Sequence, residues 1–411
     1  MQEMTSSQRT LSINLPEDWD VNAHTLWLNH QKQEAIQTLL DKINQSLAKD
    51  GRQPLILLKQ FSYYLFLLQD YDAAIEVLQT ITSLDSKDDE SQLNLAVCLA
   101  RADRYEPAVA IYQQLVKKTD DFKIWDGLAN CQYRLGQFSE SSQAGTRSLE
   151  LKDASVGADI VPVAIANASA QVVAAHKKKI ISFSLFGSNS RYTRGALHNI
   201  LLAKQFYPDW ICRFYIDEAV PQAFIELAIG MGCELKLNRS VSTLAEKLSW
   251  RFFVANDDDV GYFLIRDADS VFSQRESLAV NEWLASDRFF HVMRDWWTHT
   301  ELILAGMWGG VSGVLPDMQA QLSQYQSQTR ILETPNADQI FLREMIWPHV
   351  RQSVLIHDRC FRPRDSCLWP GLQPDGKMHV GQNEYAVREQ AQMLFLKSKL
   401  GADSNLLALL D

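Results

Sequence analysis

Two acidic residues separated by a single alanine carry the strongest chemical signal in the sequence. Asp267 and Asp269 directly follow an apolar run, residues 262–265, whose composition is typical of a buried strand. Side chains at positions i and i+2 of an extended segment project to the same side, so the two carboxylates would lie together and repel each other. A divalent cation removes that repulsion, and carboxylate oxygens suit Mg²⁺ or Mn²⁺. The pair therefore predicts a metal site able to neutralise a diphosphate.

A plainer interpretation of these residues stays open. An acid pair also occurs in ordinary turns, with Asp267 bonded to the neighbouring Arg266. A run of three aspartates at 257–259 precedes the same strand, and we interpret it as a solvated loop. The position after the strand is what favours Asp267 and Asp269 as the metal-binding pair.

The surrounding residues alternate between strand and helix patterns. Strands are expected at 180–186, 210–216, 233–237, 260–265 and 289–293, with helices at 195–206, 221–231 and 244–255 and a polar turn at 187–194. This alternation predicts a largely parallel sheet covered by helices on both faces. Ligands in such sheets bind outside the carboxyl ends of strands, which is where the aspartates stand.

Composition limits the function and the location. The chain has 411 residues and a formal net charge of −10, which argues against a nucleic-acid partner. The six cysteines form no CxxC pair, so we expect reduced thiols and a cytoplasmic protein. The polar N-terminus lacks the apolar core of a signal peptide, and no apolar run of 18 residues predicts a transmembrane segment.

The first 150 residues contain an internal repeat. Segments 70–75, 104–109 and 137–142 align with offsets of 34 and 33 residues, and the preceding helices keep the same step at Ser62, Ala96 and Ala129. A helix-turn-helix period of this length resembles the tetratricopeptide repeat, whose units need stacked neighbours to bury their apolar faces. Such arrays present a surface to a peptide, dimerise, or serve packing alone. We therefore expect a helical repeat array over residues 20–151, a linker or capping helix over 152–178, and the α/β domain over 179–400.

The C-terminal part resembles a GT-A-fold glycosyltransferase of the glycogenin and lipooligosaccharide galactosyltransferase type, which is similar to family 8. Five segments carry the resemblance in order along the chain. They are 181–187 with Tyr192, Trp250-Arg251-Phe252, Arg266-Asp267-Ala268-Asp269, residues 305–310, and Asn336-Ala337-Asp338-Gln339, followed by His379. The resemblance implies a Rossmann-like, mostly parallel sheet that binds a nucleotide-sugar.

The resemblance also implies roles for individual residues. The donor would contact Ser184, Phe186, Gly187, Tyr192, Arg251 and Asp267, and the metal would be held by Asp267, Asp269 and His379. The acceptor side would include Gly306, Trp308, Gly309 and Gly310, where glycine lets the backbone approach a sugar. Asp338 and Gln339 would orient the reacting groups, and Asp295, at the end of a strand, is a further candidate base.

Several alternatives remain open at this point. Asn336 and Gln339 are spaced as a helix capping box, so capping alone also explains them. His379 is not followed by the Lys-Pro-Trp type of segment that usually accompanies this histidine. The main expectation is Mn²⁺- or Mg²⁺-assisted transfer of a sugar, from a UDP-sugar in the first place, to a glycan or protein hydroxyl, with retention or inversion undecided. The alternative is a catalytically degenerate domain in a repeat-based adaptor, with a protein partner bound by the array.

Overall fold

The computed structural model describes residues 18–51, 53–165, 168–239, 242–328, 336–363, 365–373, 378–382 and 384–400. Side chains are described for these residues except Asp50 and residues 384–387. The N-terminal segment, for which we predicted no signal peptide, lies outside this set. The chain divides at Leu151/Lys152 into two compact units.

The N-terminal unit is an array of α-helices. Their bounds are α1 Val21–Leu28, α2 Lys32–Asp50, α3 Leu55–Leu67, α4 Tyr71–Leu84, α5 Asp89–Arg101, α6 Tyr105–Leu115, α7 Phe122–Arg134 and α8 Phe138–Ser155. The helix pairs α3–α4, α5–α6 and α7–α8 follow the predicted repeat. The aspartates Asp88 and Asp121 stand 33 residues apart and cap α5 and α7, where each side chain accepts a backbone N–H from the first turn.

Small residues at matched positions let the paired helices approach closely. Ala96 and Ala129 are fully buried, as are Cys98 and Cys131 two residues further on. Burial raises the pKa of each of these two thiols to about 12, so both stay protonated near neutral pH. These cysteines are core residues of the array.

The second unit is a mixed α/β structure around one sheet. Its helices are α9 Ala170–Ala174, α10 Ser190–Phe206, α11 Gln222–Gly230, α12 Leu244–Ser249, α13 Gln274–Ala285, α14 Met318–Gln328, α15 Ala337–Phe341, α16 Trp347–Val350 and α17 Glu384–Leu400. A 3-10 turn, Trp250–Asn256, continues α12, and a π-helical turn, Leu342–Ile346, continues α15. The strands are β1 Lys178–Leu185, β2 Ile211–Ile216, β3 Glu234–Leu237, β4 Val260–Arg266, β5 Phe290–Arg294, β6 Met307–Val311, β7 Val354–Asp358 and β8 Ser366–Cys367.

The sheet order places a topological switch point beside β1. Within the described residues the strands lie in the order β3-β2-β1-β4-β6-β5-β7-β8. All the pairings are parallel except those of β6, which runs antiparallel to β4 and to β5. The chain moves from β1 outward to β2 and β3, and then returns to β4 on the other side of β1. The carboxyl ends of β1 and β4 therefore form a topological switch point, where open α/β sheets bind ligands.

Two local predictions differ from the structure. The polar turn expected at 187–194 ends early, because Asn189 caps the helix and α10 begins at Ser190. The glycine-rich segment at 305–310 was expected to line an acceptor surface, but most of it forms the buried strand β6. In the linker, α8 extends to Ser155, and α9 is a single short helix. No helix in the described ranges is long and apolar enough to cross a membrane.

A glycine in the array gives a stability prediction of unusual sign. Gly127 lies inside α7, where alanine ordinarily stabilises a helix by about 1 kcal/mol. A Cβ at this position would lie 2.4 Å from the ring of Tyr112, which is 2 % exposed and has no room to move. We therefore expect Gly127→Ala to destabilise the protein by about 1–3 kcal/mol, measured as the shift of the urea unfolding midpoint of the array.

A double-mutant cycle tests the cause. Tyr112→Leu removes the ring atoms that the new methyl group would contact, so the added cost of Gly127→Ala should shrink in that background. An equal cost in both backgrounds would show that the ring is not responsible.

Candidate functional site

A buried arginine joins two of the residues that the sequence singled out. Arg251 lies in the 3-10 turn before β4 and is 3 % exposed. Its Nη1 donates to Oδ1 of Asp267, and its Nη2 donates to Oδ2 of Asp338 at 2.9 Å. Three residues from separate parts of the sequence therefore meet at the carboxyl end of β4.

Two serines of β1 hold the backbone of this arginine. The Ser182 hydroxyl donates to the Arg251 carbonyl at 2.7 Å, and the Ser184 hydroxyl accepts the Arg251 N–H at 3.0 Å. Ser182 and Ser184 are two residues apart on one strand, so they face the same side of the sheet. Ser184 was predicted to contact the donor, and in the structure it positions Arg251.

The second metal-site aspartate is bonded to a different arginine. Asp269 Oδ2 accepts from Nη2 of Arg191 at 2.5 Å and from Nε at 3.1 Å. Arg191 lies in the first turn of α10, directly after β1. The side chains of Arg191 and Asp269 are 34 % and 14 % exposed, so this pair lies at the edge of the crevice. Arg266, the expected partner of Asp267 in the plainer interpretation, instead pairs with buried Glu276 at 2.6 Å.

Two glycines set the place of the loop that carries the aspartates. A Cβ at Gly195 would lie 2.3 Å from the Ala268 carbonyl and 2.7 Å from Asp269 Cα. A Cβ at Gly306 would lie 2.1 Å from Asp267 Oδ2. Glycine at these positions lets α10 and the start of β6 contact the loop directly. Gly306 is therefore beside the site, although as packing around Asp267.

The site concentrates negative charge in a poorly hydrated place. Burial raises the pKa of Asp269, the charge of Asp267 raises it further, and Arg191 only partly opposes these effects. Burial likewise raises the pKa of Asp338. Burial alone would lower the pKa of Arg251, but Asp267 and Asp338 outweigh it and hold the guanidinium charged. The folded environment therefore makes the charged forms of Asp269 and Asp338 less favourable than they are in water.

The donor set fits a hard divalent cation that keeps part of its water shell. Asp267 and Asp269 offer carboxylate oxygens, and Mg²⁺ in phosphate sites is commonly bound by one or two carboxylates together with substrate phosphates. No cluster of three or more histidine, cysteine or acidic side chains exists among the described residues. His379 therefore does not complete a three-ligand cluster with the two aspartates in this structure.

His379 packs in an aromatic cluster beside the site. Its ring stacks on Trp296 with centroids 4.7 Å apart and lies edge-on to His299 at 5.1 Å. The segment around it is held by the site loop, because the Ser270 hydroxyl donates to the Gly381 carbonyl at 3.0 Å. The segment that carries His379 therefore lies next to the loop of the aspartates, while the ligand role of the side chain stays a prediction.

Asp295 is buried, and its carboxylate contacts two arginines and a backbone N–H. It is fully buried, forms ion pairs with Arg275 at 3.3 Å and Arg359 at 3.6 Å, and accepts the Val380 N–H at 2.8 Å. A general base must reach the acceptor hydroxyl. These contacts favour a positioning role for Asp295, through the segment that carries His379, over the predicted catalytic role.

Asp338 and Gln339 are not explained by helix capping. The Asn336 side chain makes no capping hydrogen bond at the start of α15. Asp338 is 4 % exposed, and besides Arg251 its carboxylate accepts the Gln339 backbone N–H at 2.9 Å. The capping interpretation therefore fails for Asn336, and Asp338 belongs to the Arg251 cluster.

Three residues of the predicted acceptor side lie in the core instead. Trp308 is fully buried and packs on Phe252 and Phe263. A Cβ at Gly309 would meet the Phe263 carbonyl at 2.5 Å, and one at Gly310 would meet the Phe290 ring at 2.6 Å. Trp308, Gly309 and Gly310 thus serve close packing of β6 between its neighbours.

The remaining donor-side residues cluster after β1. The Phe186 ring lies edge-on to Trp250, with the Lys247 ammonium 5.5 Å from its centroid. Gly187 has a φ of +73°, and its N–H donates to Asp217 at 3.0 Å. Tyr192 is 36 % exposed and carries the Arg191 guanidinium 5.2 Å from its ring centroid. Phe186, Gly187 and Tyr192 therefore follow the carboxyl end of β1, and their contact with a donor stays a prediction.

Sequence reasoning missed Arg191 and Ser182. Arg191 fell in the segment interpreted as a turn, and Asn189 in N-cap position ahead of it was the signal for a helix start. Ser182 is polar in an otherwise apolar buried strand, and its spacing of two from Ser184 indicated a shared face.

Comparison with known proteins identifies the repeats. Residues 65–128 match the tetratricopeptide repeat family. The N-terminal region contains tetratricopeptide repeats. No curated protein matches the chain.

Similar solved structures include MamA and PcrH. "MamA MSR-1 C2" is 15 % identical, with a TM-score of 0.29, and the match covers 33 % of this chain and 75 % of that one. MamA 41-end from Desulfovibrio magneticus RS-1 is 17 % identical, with a TM-score of 0.29 and coverage of 32 % and 71 %. PcrH in complex with the chaperone binding region of PopB is 21 % identical, with a TM-score of 0.24 and coverage of 24 % and 82 %.

A buried histidine pair lies deeper in the same sheet. His291 Nε2 and His357 Nδ1 are 2.8 Å apart, and His357 Nε2 is 2.9 Å from the Glu282 carboxylate. His291 is fully buried and stacks on Trp283. Burial lowers the pKa of His291 well below its usual range, with His357 adding to the effect.

This burial predicts a pH dependence of stability. The folded chain keeps His291 neutral, whereas the unfolded chain binds a proton at this residue near pH 6.5. The stability that this difference contributes is complete above about pH 6.5 and is lost as the pH falls below it, with a slope of up to about 1.4 kcal/mol per pH unit. We expect His291→Gln to show a smaller loss than the wild type between pH 7 and 5, measured by urea unfolding. Parallel curves for the two proteins would contradict the assignment.

Proposed function

We propose that the second unit is a GT-A glycosyltransferase domain that binds a nucleoside diphosphate sugar together with Mg²⁺ or Mn²⁺. The observation that carries the proposal is the contact of one buried guanidinium with both Asp267 and Asp338. The resemblance selected these three residues from segments separated by up to 87 positions. Their meeting at the switch point of a mostly parallel sheet is what a donor site of this fold requires.

The chain's own residues suit a diphosphate donor. Asp267 and Asp269 would hold the cation, which when bound neutralises charge on the departing diphosphate. One buried N–H of Arg251 is available to a ligand, because its Nε has no hydrogen-bond partner among the described residues. A buried unpaired N–H is costly, and a donor oxygen would satisfy it. Arg251 thereby steadies the donor from a position fixed by Ser182 and Ser184.

The acceptor side is expected around Asp338. Two other buried carboxylates are already engaged in ion pairs: Asp295 with Arg275 and Arg359, and Glu301 with Lys152 and Arg343. Asp338 instead contacts the Arg251–Asp267 pair. Burial raises the pKa of Asp338 above its usual value, which makes its carboxylate a stronger proton acceptor than a free aspartate. We assign it the orientation or deprotonation of the acceptor hydroxyl, with Gln339 beside it.

The location and the partners complete the proposal. No disulfide joins the described cysteines, which are Cys98, Cys131, Cys212, Cys233, Cys360 and Cys367, and this suits a reaction in the cytoplasm. The repeats would bind a protein, either the acceptor itself or an assembly partner, and the acceptor is a glycan or protein hydroxyl.

The decisive measurement is calorimetric titration of the full chain with UDP in the presence and absence of Mn²⁺. We expect Mn²⁺-dependent binding, and a loss of about 10- to 100-fold in UDP affinity for Asp269→Asn, because a carboxylate of the proposed metal site is removed. Asp258→Asn is the matched control, since Asp258 is an exposed aspartate before the same strand. Absence of Mn²⁺-dependent nucleotide binding in the wild type would count against the transferase.

A scaffold with a degenerate transferase domain is the rival proposal. It is favoured by the bonding of both metal-site aspartates to arginines and by the position of His379 in an aromatic cluster. Slow hydrolysis of a UDP-sugar by the wild type, lost in Asp267→Ala, would exclude it. Product analysis by mass spectrometry supplies this measurement.

A further inference from the structure

A second group of arginines lies at the carboxyl end of β5, around Asp295. Arg275 of α13 and Arg359, which follows β7, approach the same Oδ1 atom of Asp295 at 3.3 and 3.6 Å. Neither contact is a hydrogen bond, because this oxygen has no hydrogen-bond partner among the described residues. Charge-assisted bonds between arginine and carboxylate span about 2.7–2.9 Å. One carboxylate oxygen therefore lies between two guanidinium groups without bonding fully to either.

Arg275 has an unused donor in this group. Its side chain is 9 % exposed, its Nη1 donates to the Leu372 carbonyl at 3.3 Å, and its Nε has no hydrogen-bond partner in the described part of the chain. The guanidinium lies 5.1 Å from the centroid of the Trp369 ring. Burial lowers the pKa of Arg275, Asp295 opposes this effect only in part, and Arg359 adds to it. A ligand oxygen would satisfy the buried N–H and the charge together.

The charges of this region leave a positive excess. Arg294 is buried and pairs with Asp358 at 2.6 Å, so these two charges compensate each other. Asp295 then faces both Arg275 and Arg359. Three guanidinium groups therefore stand against two carboxylates in this cluster. An uncompensated charge in the interior is costly, and a bound anion would remove that cost.

The cluster lies on the side of the metal-site loop that faces away from β1. The strands β4 and β5 both run antiparallel to β6, so their carboxyl ends lie at the same edge of the sheet. Two strand spacings, about 10 Å, separate them. The segment after His379 joins the two places, because Asp295 accepts the Val380 N–H and Ser270 donates to the Gly381 carbonyl. With a donor at β1 and β4, the cluster is on the acceptor side.

We propose that Arg275 and Arg359 bind an anionic group, a carboxylate or a phosphate, on a sugar of the acceptor. This inference rests on the proposed function and specifies the chemistry of its acceptor. Guanidinium groups match such oxyanions with paired N–H donors, and a single negative charge balances the excess of the cluster. The two side chains are only 9 % and 12 % exposed, which suits one compact charged group better than an extended peptide. The acceptor is therefore an acidic glycan.

Binding of glucuronate to the full chain, without nucleotide or metal, tests the site. Glucose is the matched neutral probe, and ligand-observed NMR at constant ionic strength gives both affinities. We expect glucuronate to bind at least about 10-fold more tightly than glucose, and Arg275→Gln to remove about 10-fold or more of its affinity. Arg359→Gln should weaken binding in the same direction, and it provides the measurement if Arg275→Gln does not fold.

A variant with an effect of opposite sign tests the charge argument. Asp295→Asn keeps the shape of the side chain and a carbonyl oxygen for the Val380 N–H, but it removes the negative charge between the arginines. Glucuronate should therefore bind about 3- to 10-fold more tightly to this variant. Arg239→Ala is the control, because Arg239 is an exposed arginine paired with Glu218 at 3.5 Å, and it should leave the affinity unchanged.

Two further probes identify the source of the anion. Glucose 6-phosphate bound more tightly than glucuronate would assign the site to a sugar phosphate. Triglutamate bound more tightly than both sugars would indicate an acidic protein and overturn the glycan assignment. Equal binding of glucuronate and glucose, or affinities unchanged in both arginine variants, would overturn the site itself.

A competition experiment separates this inference from the proposed function. Saturating glucuronate should leave the affinity for UDP with Mn²⁺ unchanged, because the two ligands occupy different strand ends. Competition would place the anion in the donor site and overturn the inference, while the transferase would stand. A chain that binds glucuronate with the expected variant effects but does not bind UDP with Mn²⁺ would keep the anion site and lose the transferase.

Discussion

The Arg251 guanidinium, enclosed between two carboxylates, is the interaction on which the site depends. Moving an arginine into a protein interior costs several kcal/mol unless opposite charges and hydrogen bonds compensate it. Asp267 and Asp338 supply that compensation, and Ser182 and Ser184 fix the backbone from which the side chain extends. The loss of either carboxylate would leave the buried guanidinium with one opposite charge instead of two. Ion pairs with the buried guanidinium therefore stabilise this arrangement in addition to packing.

Close backbone packing fixes the position of the loop that carries Asp267 and Asp269. The helix α10 contacts the loop at Gly195, and the chain entering β6 contacts it at Gly306, in each case at a distance that leaves no space for a Cβ. Charge alone would push Asp267 and Asp269 apart. The close contacts, together with Arg191 and Arg251, oppose that separation. The two aspartates are thus held close to each other by neighbouring backbone and by arginines, as the proposed cation site would require.

Much of the fold was predictable from the sequence, and the reasons are specific. The 34- and 33-residue offsets identified the helical repeats, because each unit repeats the same small residues in its core. The apolar run before Asp267 identified β4, since strands buried on both faces are continuously apolar. The strand β6 was missed because Gly309 and Gly310 depress strand propensity, and only the close approach of Phe263 and Phe290 explains them.

The site was predictable only in part, because short sequence segments reveal single residues but not contacts between residues far apart in the chain. Asp267, Asp269, Arg251 and Asp338 were selected from short segments of the sequence. The structure brings Arg251, Asp267 and Asp338 into contact. The bond of Arg191 to Asp269 joins residues 78 positions apart, and no local pattern specifies such a pair. The same reason explains why Asp295 looked like a possible base, since its partners Arg275 and Arg359 lie on other elements.

The segment that carries His379 is held beside the aspartates by hydrogen bonds to its backbone. Asp295 accepts the Val380 N–H, and Ser270 donates to the Gly381 carbonyl, so the segment is fixed from the end of β5 and from the metal-site loop. Because Ser270 directly follows Asp269, one hydrogen bond connects the loop of the aspartates to Gly381. The histidine ring meanwhile is held by Trp296. Contact between the segment and the loop of the aspartates is therefore made by the backbone of the segment and not by the imidazole of His379.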